Sequence, residues 1–312
     1  MKIFVAGATG VVGFPTVHAL VSAGHDVRGT ARNAERARSL RDIGVEPVSI
    51  DIYDTIQLRD AMRGCDAVIR LTTKLSGSMA AMRSKRSFEE TNRLRTVGAR
   101  RIVDAIICEN VGTYIHESFY AVYKDSGDAL VTETAPTQDG GIETMRAALE
   151  GENEAARLTA QGGRGIVLRF GGFYSVKAPS TRQTVEYVRK RMLPRIGRGA
   201  FYFPPIYVDD AADAVVRALS APPGVYNVCD DDPVTFATYL DELASALGAK
   251  PPLHLPEFLG PVLIGYPWLA MSRSVRMSNA RLKTVTGWCP QVKSVREGWP
   301  LIVKLLGSKQ AA

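Results

Sequence analysis

The stretch ESFYAVYK (117–124) holds the chain's single Tyr-x-x-x-Lys, formed by Tyr120 and Lys124. Four residues apart on a helix, a phenol and an ammonium share one face. The cation then draws the phenol's pKa from about 10 toward neutrality. Such a phenol can pass a proton to or from a substrate oxygen. A second constellation opens the chain. VAGATGVVG sets Gly7, Gly10 and Gly13, with Thr9, Val11 and Val12 between them, just after an apolar run. Glycines let the backbone turn sharply and come close to a pyrophosphate, and a helix start adds free amides and a positive dipole end. A lone glycine triplet is weak evidence; one that follows a buried strand and opens an amphipathic helix has the required context.

The elements that must position these groups alternate. KIFVAGA (2–8) reads as a buried strand, VVGFPTVHALVSAG (11–24) as a helix stopped by Gly24, and DVRGTAR (26–32) as a second strand. Pro15 falls early in that first helix, where a missing amide matters little. A polar-faced helix (33–44), strand three (45–51), a helix (56–64), strand four (66–73), a long helix over about 88–110 and strand five (111–118) follow. A helix near 143–161 and strand six, GIVLRFG (165–171), complete the series. Short β runs separated by helices predict an α/β, Rossmann-type doubly wound parallel sheet. The pattern returns at 206–228, so residues 1–171 plus about 206–228 are expected to bind NAD(P). Residues 172–205 plus 229–312 are richer in proline and are expected to form a smaller C-terminal substrate lobe.

The end of strand two bears on which nucleotide is bound. An acid about 20 residues beyond the glycines would hold the ribose hydroxyls of NAD. Here the strand ends in Thr30, Ala31 and Arg32. A guanidinium offers a planar fork of donors to a 2′-phosphate, so NADP is expected, with NAD as the alternative. Asp51, with Ile52 beside it, ends strand three, where a carboxylate can accept from the adenine amino group. Leu71, Thr72 and Thr73 end strand four and leave the coenzyme room to pass. Phe170, Phe173 and Tyr174 follow from strand six and either wall the nicotinamide and substrate or pack the core.

Composition narrows the class. The chain has 312 residues, 46% hydrophobic and 23% charged, ordinary for a globular protein with a full core. Four scattered cysteines, Cys65, Cys108, Cys229 and Cys289, suggest neither a zinc site nor a disulfide framework, and a reducing cytoplasm is expected. No signal segment is expected ahead of the first strand. The apolar stretch FLGPVLIGYPWLAM (258–271) is 14 residues long and broken by Gly and Pro, too short to span a bilayer. A buried helix or pocket wall is expected there, and the stretch hints at an apolar or aromatic small-molecule substrate. The net charge of +7 comes with no nucleic-acid motif and favours an anionic small ligand. Neither a nucleic acid nor a membrane is expected as partner; a homodimer is compatible with the sequence and the oligomeric state stays open.

Taken together, the Gly7–Gly13 loop, Asp51, Asn92 in ETNRLRTVGARRIVDA, LRFGGFY (168–174), IYVDDAADAV (206–215) and GVYNVCDDDPVT (224–235) resemble the extended short-chain dehydrogenase/reductase family, in its NAD(P)-dependent epimerase/dehydratase group. The likeness covers most of the chain, and the tail (274–299) looks like that group's substrate-lobe ending. The resemblance implies hydride chemistry at a nicotinamide, with a Ser or Thr after strand five and a Tyr-x-x-x-Lys on the next helix. This chain departs from it. The helix IETMRAALEGENEAARL (142–158) has no Tyr and no Lys: Thr144 or Ile142 falls at the Tyr place, Ala148 or Arg146 at the Lys place. In the motif after strand five, Tyr123 takes the place of the family's Tyr and Ser118 of its first serine; Phe119 stands where the working hydroxyl belongs on the strict alignment, and a one-residue shift restores Ser118 there. Tyr120 and Lys124 therefore fall on a loop. The resulting expectation is an NADP-dependent oxidoreductase acting on a small carbonyl or alcohol, its proton donor displaced to Tyr120 or Tyr123, with Ser118 and Lys124 nearby and Phe119 and Tyr174 toward the substrate. The alternative is a non-redox cyclase, isomerase or dehydratase, or a cofactor-sensing protein. His116, on strand five, is expected to be buried and hydrogen-bonded.

Overall fold

The computed structural model describes residues 1–75 and 82–310. Seven parallel strands make the central sheet: β1 (Lys2–Ala6), β2 (Asp26–Thr30), β3 (Glu46–Val48), β4 (Ala67–Arg70), β5 (Thr113–Phe119), β6 (Arg164–Phe170) and β7 (Gly224–Val228). Their order across the sheet is β7-β6-β5-β4-β1-β2-β3. The winding reverses between β1 and β4, and a crevice opens at the carboxyl ends there, the usual ligand place of such sheets.

Helices α1 (Gly13–Ser22), α2 (Ala34–Arg41), α3 (Thr55–Met62), α4 (Ala99–Cys108), α5 (Glu143–Ala160) and α6 (Val208–Ala218) cover both faces. Val17, Leu20, Leu40, Ala211 and Val215 pack on one side of the sheet, Leu58, Met62, Ile102, Ile106 and Leu158 on the other. Both faces are covered, so β1 and β4 are apolar almost throughout, as parallel strands are. Local chemistry sets the ends. The Asn33 side chain accepts from the Arg36 amide at 2.9 Å to start α2, and Asp54 accepts from the Ile56 amide at 2.9 Å to start α3. Gly24, at φ +80°, ends α1.

A smaller lobe sits beside the sheet. Its core gathers Tyr174, Tyr239, Trp299, Phe236 and Leu240, with α7 (Phe236–Ala246) against α8 (Val295–Gln310). The indole of Trp299 donates to the Tyr239 carbonyl at 3.1 Å. Leu282 and Trp288, also late in the chain, instead pack into the sheet's own core.

Three elements differ from expectation. Strand three stops at Val48, and Asp51 caps a turn in which its Oδ1 accepts from the Tyr53 amide at 3.0 Å. The long helix begins as a 3₁₀ turn (Lys85–Phe88) and carries a π-helical turn at Leu94–Gly98. The stretch 258–271 is not one buried helix: glycine and proline break it into short turns, and Phe258, Val262, Leu263 and Leu269 face outward.

Candidate active site

The glycine loop joins β1 to α1 at the crevice. Gly7 lies at φ +91°, and a Cβ on it would stand 2.6 Å from the Leu71 carbonyl oxygen, so only glycine fits between the ends of β1 and β4. The Gly10 amide donates to the Gly7 carbonyl at 3.0 Å and closes the turn. The Gly7 amide donates to Thr30 Oγ1 at 2.8 Å, tying the loop to the end of β2. Arg36 braces it from α2 by donating to the Thr9 carbonyl at 2.7 Å. The amides that open α1 at Val11, Val12 and Gly13 lie before the first helical carbonyl that could accept them, and so point at whatever lies in the crevice.

Beyond the end of β2, Ala31, Arg32, Asn33, Ala37, Arg41, Pro47, Val48 and Ser49 line a hollow of about 260 Å³. It has two guanidinium groups and no carboxylate among these residues. Thr30, the last residue of β2, is used for the Gly7 bond. Two buried polar atoms, Thr72 Oγ1 just past β4 and Asn92 Oδ1, have no hydrogen-bond partner among the described residues. A glycine cradle without room for a Cβ, two arginines past the end of β2 and two unanswered polar atoms fit a nicotinamide dinucleotide. Asp51 and Ile52 lie past the end of β3, Asp51 exposed and Ile52 half-buried.

At the ends of β5 and β6 the sequence-based expectations divide. Ser118 is fully buried and donates to Glu152 Oε1 on α5 at 2.5 Å. Glu152 also accepts a fork from Arg169, at 2.9 and 2.6 Å. Arg169 lies beside Ser118 in the β5–β6 register and over the Tyr123 ring at 4.7 Å. The Tyr123 phenol is fully buried and donates to Asn227 Oδ1 at 2.7 Å. Burial pushes its pKa up to about 12, against the pull of Arg169. Burial likewise raises the Tyr120 phenol well above its ordinary range, and that ring packs edge-on to Phe203. Tyr120 opens a 3₁₀ turn (Tyr120–Val122) that ends before Lys124, whose side chain is exposed, so the two share no helix face. Phe119 is half-buried at the end of β5, with the Arg95 guanidinium stacked 4.5 Å from its ring.

Tyr174, expected toward the substrate, is instead core: it is fully buried, and its phenol donates to Asp230 Oδ2 at 2.8 Å. Burial, aided by the neighbouring Asp230 charge, holds that phenol well above its usual range. Phe170 is fully buried too, and its half-buried neighbour Phe173, just past β6 and 5.2 Å away ring to ring, packs against the same core. His116 is buried with Nδ1 2.8 Å from the Tyr114 phenol, and burial with Arg70 and Arg95 keeps the imidazole neutral.

Sequence reading missed a buried ionic group. Glu117 accepts from Arg95 at 3.0 Å and pairs with Arg70 at 3.4 Å, all three nearly enclosed. Gly151 makes room for it: a Cβ there would lie 2.7 Å from both the His116 ring and the Arg95 carbonyl. Also missed was Tyr266, whose phenol oxygen lies 3.3 Å from the Thr144 amide although the two residues are 122 apart in sequence. The periodicity of α5 marks Glu152 only as facing inward; nothing local marks its partners.

Residues 3–229 match the model of the NAD dependent epimerase/dehydratase family. The chain belongs to that family. It is an enzyme of the NAD(P)-dependent oxidoreductase and epimerase/dehydratase superfamily, whose members act on small carbonyl and alcohol substrates. A relative from a Streptomyces species, 3-diazoavenalumate denitrifying reductase, is 33% identical over 96% of this chain and 99% of its own. A Stigmatella aurantiaca relative, 4-hydroxy-2-methyl-3-oxo-4-farnesyl-3,4-dihydroquinoline-1-oxide ketoreductase, is 24% identical over 80% of this chain and 74% of its own. Human epimerase family protein SDR39U1, solved with NADPH, shares the fold at a TM-score of 0.80 and 21% identity, covering 97% of this chain and 99% of that one. The helix Glu143–Ala160 carries no Tyr and no Lys.

Proposed function

We propose that the protein is an NADPH-dependent reductase of a small, largely apolar or aromatic substrate. The observation that carries this reading is the arginine-lined hollow beside the glycine cradle, with no acid at the end of β2 to hold a free ribose. In this reading the amides of Gly10 to Gly13 and Thr9 hold the diphosphate, and Arg32, with Arg41, holds the extra phosphate. Asp51 and Ile52 flank the adenine. Leu71, Thr72, Thr73 and Asn92 line the path to the nicotinamide, and Phe173 walls it above the buried Phe170. Residues 1–171 with 206–228 hold the coenzyme, and 172–205 with 229–312 close over the substrate. The coenzyme supplies hydride. The chain's own residues orient it and exclude water, with Phe119 and the Arg95 guanidinium forming an apolar, cation-backed floor at the end of β5.

A carbonyl is the acceptor this fold serves in its ketoreductase relative. A second acceptor, a diazo group lost as nitrogen, is supported by the full-length likeness to the denitrifying reductase. It is also supported by the absence of an ionisable group at Phe119, Thr144 and Ala148, since replacing dinitrogen by hydride needs no acid. The test is to mix the protein with NADPH and parallel panels of aromatic ketones and aryl diazonium salts. Coenzyme absorbance and product mass are then followed. Consumption with either panel supports a reductase. Tight NADPH binding with no consumption by any substrate would instead favour a non-redox isomerase or a coenzyme sensor.

A further inference from the structure

The family's pattern puts a phenol at Thr144 or Ile142, where α5 starts, and a phenol from elsewhere in the chain stands beside Thr144. Tyr266 comes from the C-terminal segment, and its oxygen accepts from the Thr144 amide at 3.3 Å, with Thr144 Oγ1 equally near at 3.3 Å. Ile142, the residue just before α5, gives no side-chain cap. The phenol oxygen thus answers an opening amide of this 18-residue helix.

The ring is held from several directions. The Tyr266 amide donates to the Arg83 carbonyl at 3.1 Å, and the Arg83 guanidinium donates to the Val262 carbonyl at 2.6 Å. Gly265, at φ +75°, passes so close that a Cβ would sit 2.8 Å from the Arg83 oxygen. The Phe88 ring lies 5.3 Å away, and Tyr266 packs on the cluster that contains Phe119, Tyr120, Ile142 and Met145. Lys85, paired with Glu143 at 2.8 Å, brings an ammonium into the electrostatic reach of the phenol. Unlike Tyr120 and Tyr123, Tyr266 is only half-buried.

We infer that Tyr266 is the proton donor for reduction of a carbonyl, carried by the C-terminal segment to the place left by Thr144. This rests on the reductase reading above. The carbonyl carbon gains hydride from the reduced coenzyme and forms its C–H bond, and the C=O π pair moves to oxygen. The Tyr266 O–H bond breaks and its proton joins that oxygen; water then returns a proton to the phenolate. The carbonyl is reduced to an alcohol, and the coenzyme is oxidised by two electrons.

The experiment compares wild type with Tyr266→Phe and Tyr120→Phe. Acetophenone reduction, calorimetric NADPH affinity and calorimetric binding of benzamide, an unreactive aromatic carbonyl, are measured for each. Tyr266→Phe is expected to slow reduction roughly 100- to 10,000-fold, to weaken benzamide several-fold and to leave NADPH affinity unchanged, while Tyr120→Phe keeps its rate. An unchanged rate in Tyr266→Phe, or a loss confined to Tyr120→Phe, overturns the inference. So does a wild type that reduces a diazonium salt but no ketone, although the reductase reading then stands. A wild type that binds no NADPH overturns both.

Discussion

Replacing Arg32 by Asp tests the coenzyme assignment most directly. Arg32 lines the hollow at the end of β2 together with Arg41, and no carboxylate among the lining residues competes for it. A charge-assisted hydrogen bond contributes about 1.5–3 kcal/mol, and about 1.4 kcal/mol is a factor of ten in affinity. Loss of one such bond to a 2′-phosphate therefore weakens NADPH by roughly 10- to 150-fold. The new carboxylate repels that phosphate while offering the ribose hydroxyls of NADH an acceptor, so NADH affinity holds or rises. The Arg32 side chain is exposed, so salt screens its part; the difference should shrink as ionic strength rises and the Debye length falls below about 10 Å. Titrating both coenzymes by fluorescence, at low and high salt, gives the preference ratio. A ratio unchanged by the substitution at low salt would refute the reasoning, because the guanidinium would then make no contact that distinguishes the two coenzymes.

Three further outcomes follow from the packing. Gly151→Ala should destabilise the fold by about 1–3 kcal/mol, read as a lower denaturant midpoint, because its methyl would meet the His116 ring and the Arg95 carbonyl at 2.7 Å. Glu152→Gln leaves the nearly enclosed Arg169 without its counter-charge and should cost about 3–5 kcal/mol, seen in the same unfolding curves. Asp230 is buried, and that burial raises its carboxyl well above the ordinary value of 3.8 in the folded state. The native state therefore holds this proton more tightly than the unfolded chain does. The stability it contributes is fully present below pH 3.8 and is lost as pH rises through the raised native value. Asp230→Asn can still accept from the Tyr207 amide, and its stability advantage over wild type should grow across that rise. Parallel slopes for the two proteins would contradict the shift.

How much was legible in the sequence varied by region. The glycines at 7, 10 and 13 were readable because a turn that admits no Cβ leaves a mark in residue type, and the contacts of Gly7 show why. His116 was readable as buried and hydrogen-bonded because it sits inside a central strand of the sheet. Tyr174 and Phe170 were not separable from pocket residues, since an aromatic side chain after a strand looks the same whether it meets a substrate or Trp299. Residues 258–271 read as buried from their apolarity, but glycine and proline break them into turns too short to bury every side chain.

The sequence by itself determined the alternating architecture, the tight glycine turn between β1 and α1, the arginine where NAD enzymes carry an acid, and the absence of Tyr and Lys from the helix over 142–158. Each of these is a matter of residue type at a local spacing, and periodicity with backbone freedom encodes it. Only the tertiary structure decided that Ser118 meets Glu152 and Arg169, that Glu117 lies between two arginines, and that Tyr266 reaches Thr144. Those pairings join residues up to 122 positions apart. A one-dimensional pattern records which side chains turn inward, whereas the partner each one meets depends on how helices and loops pack across the ends of the sheet.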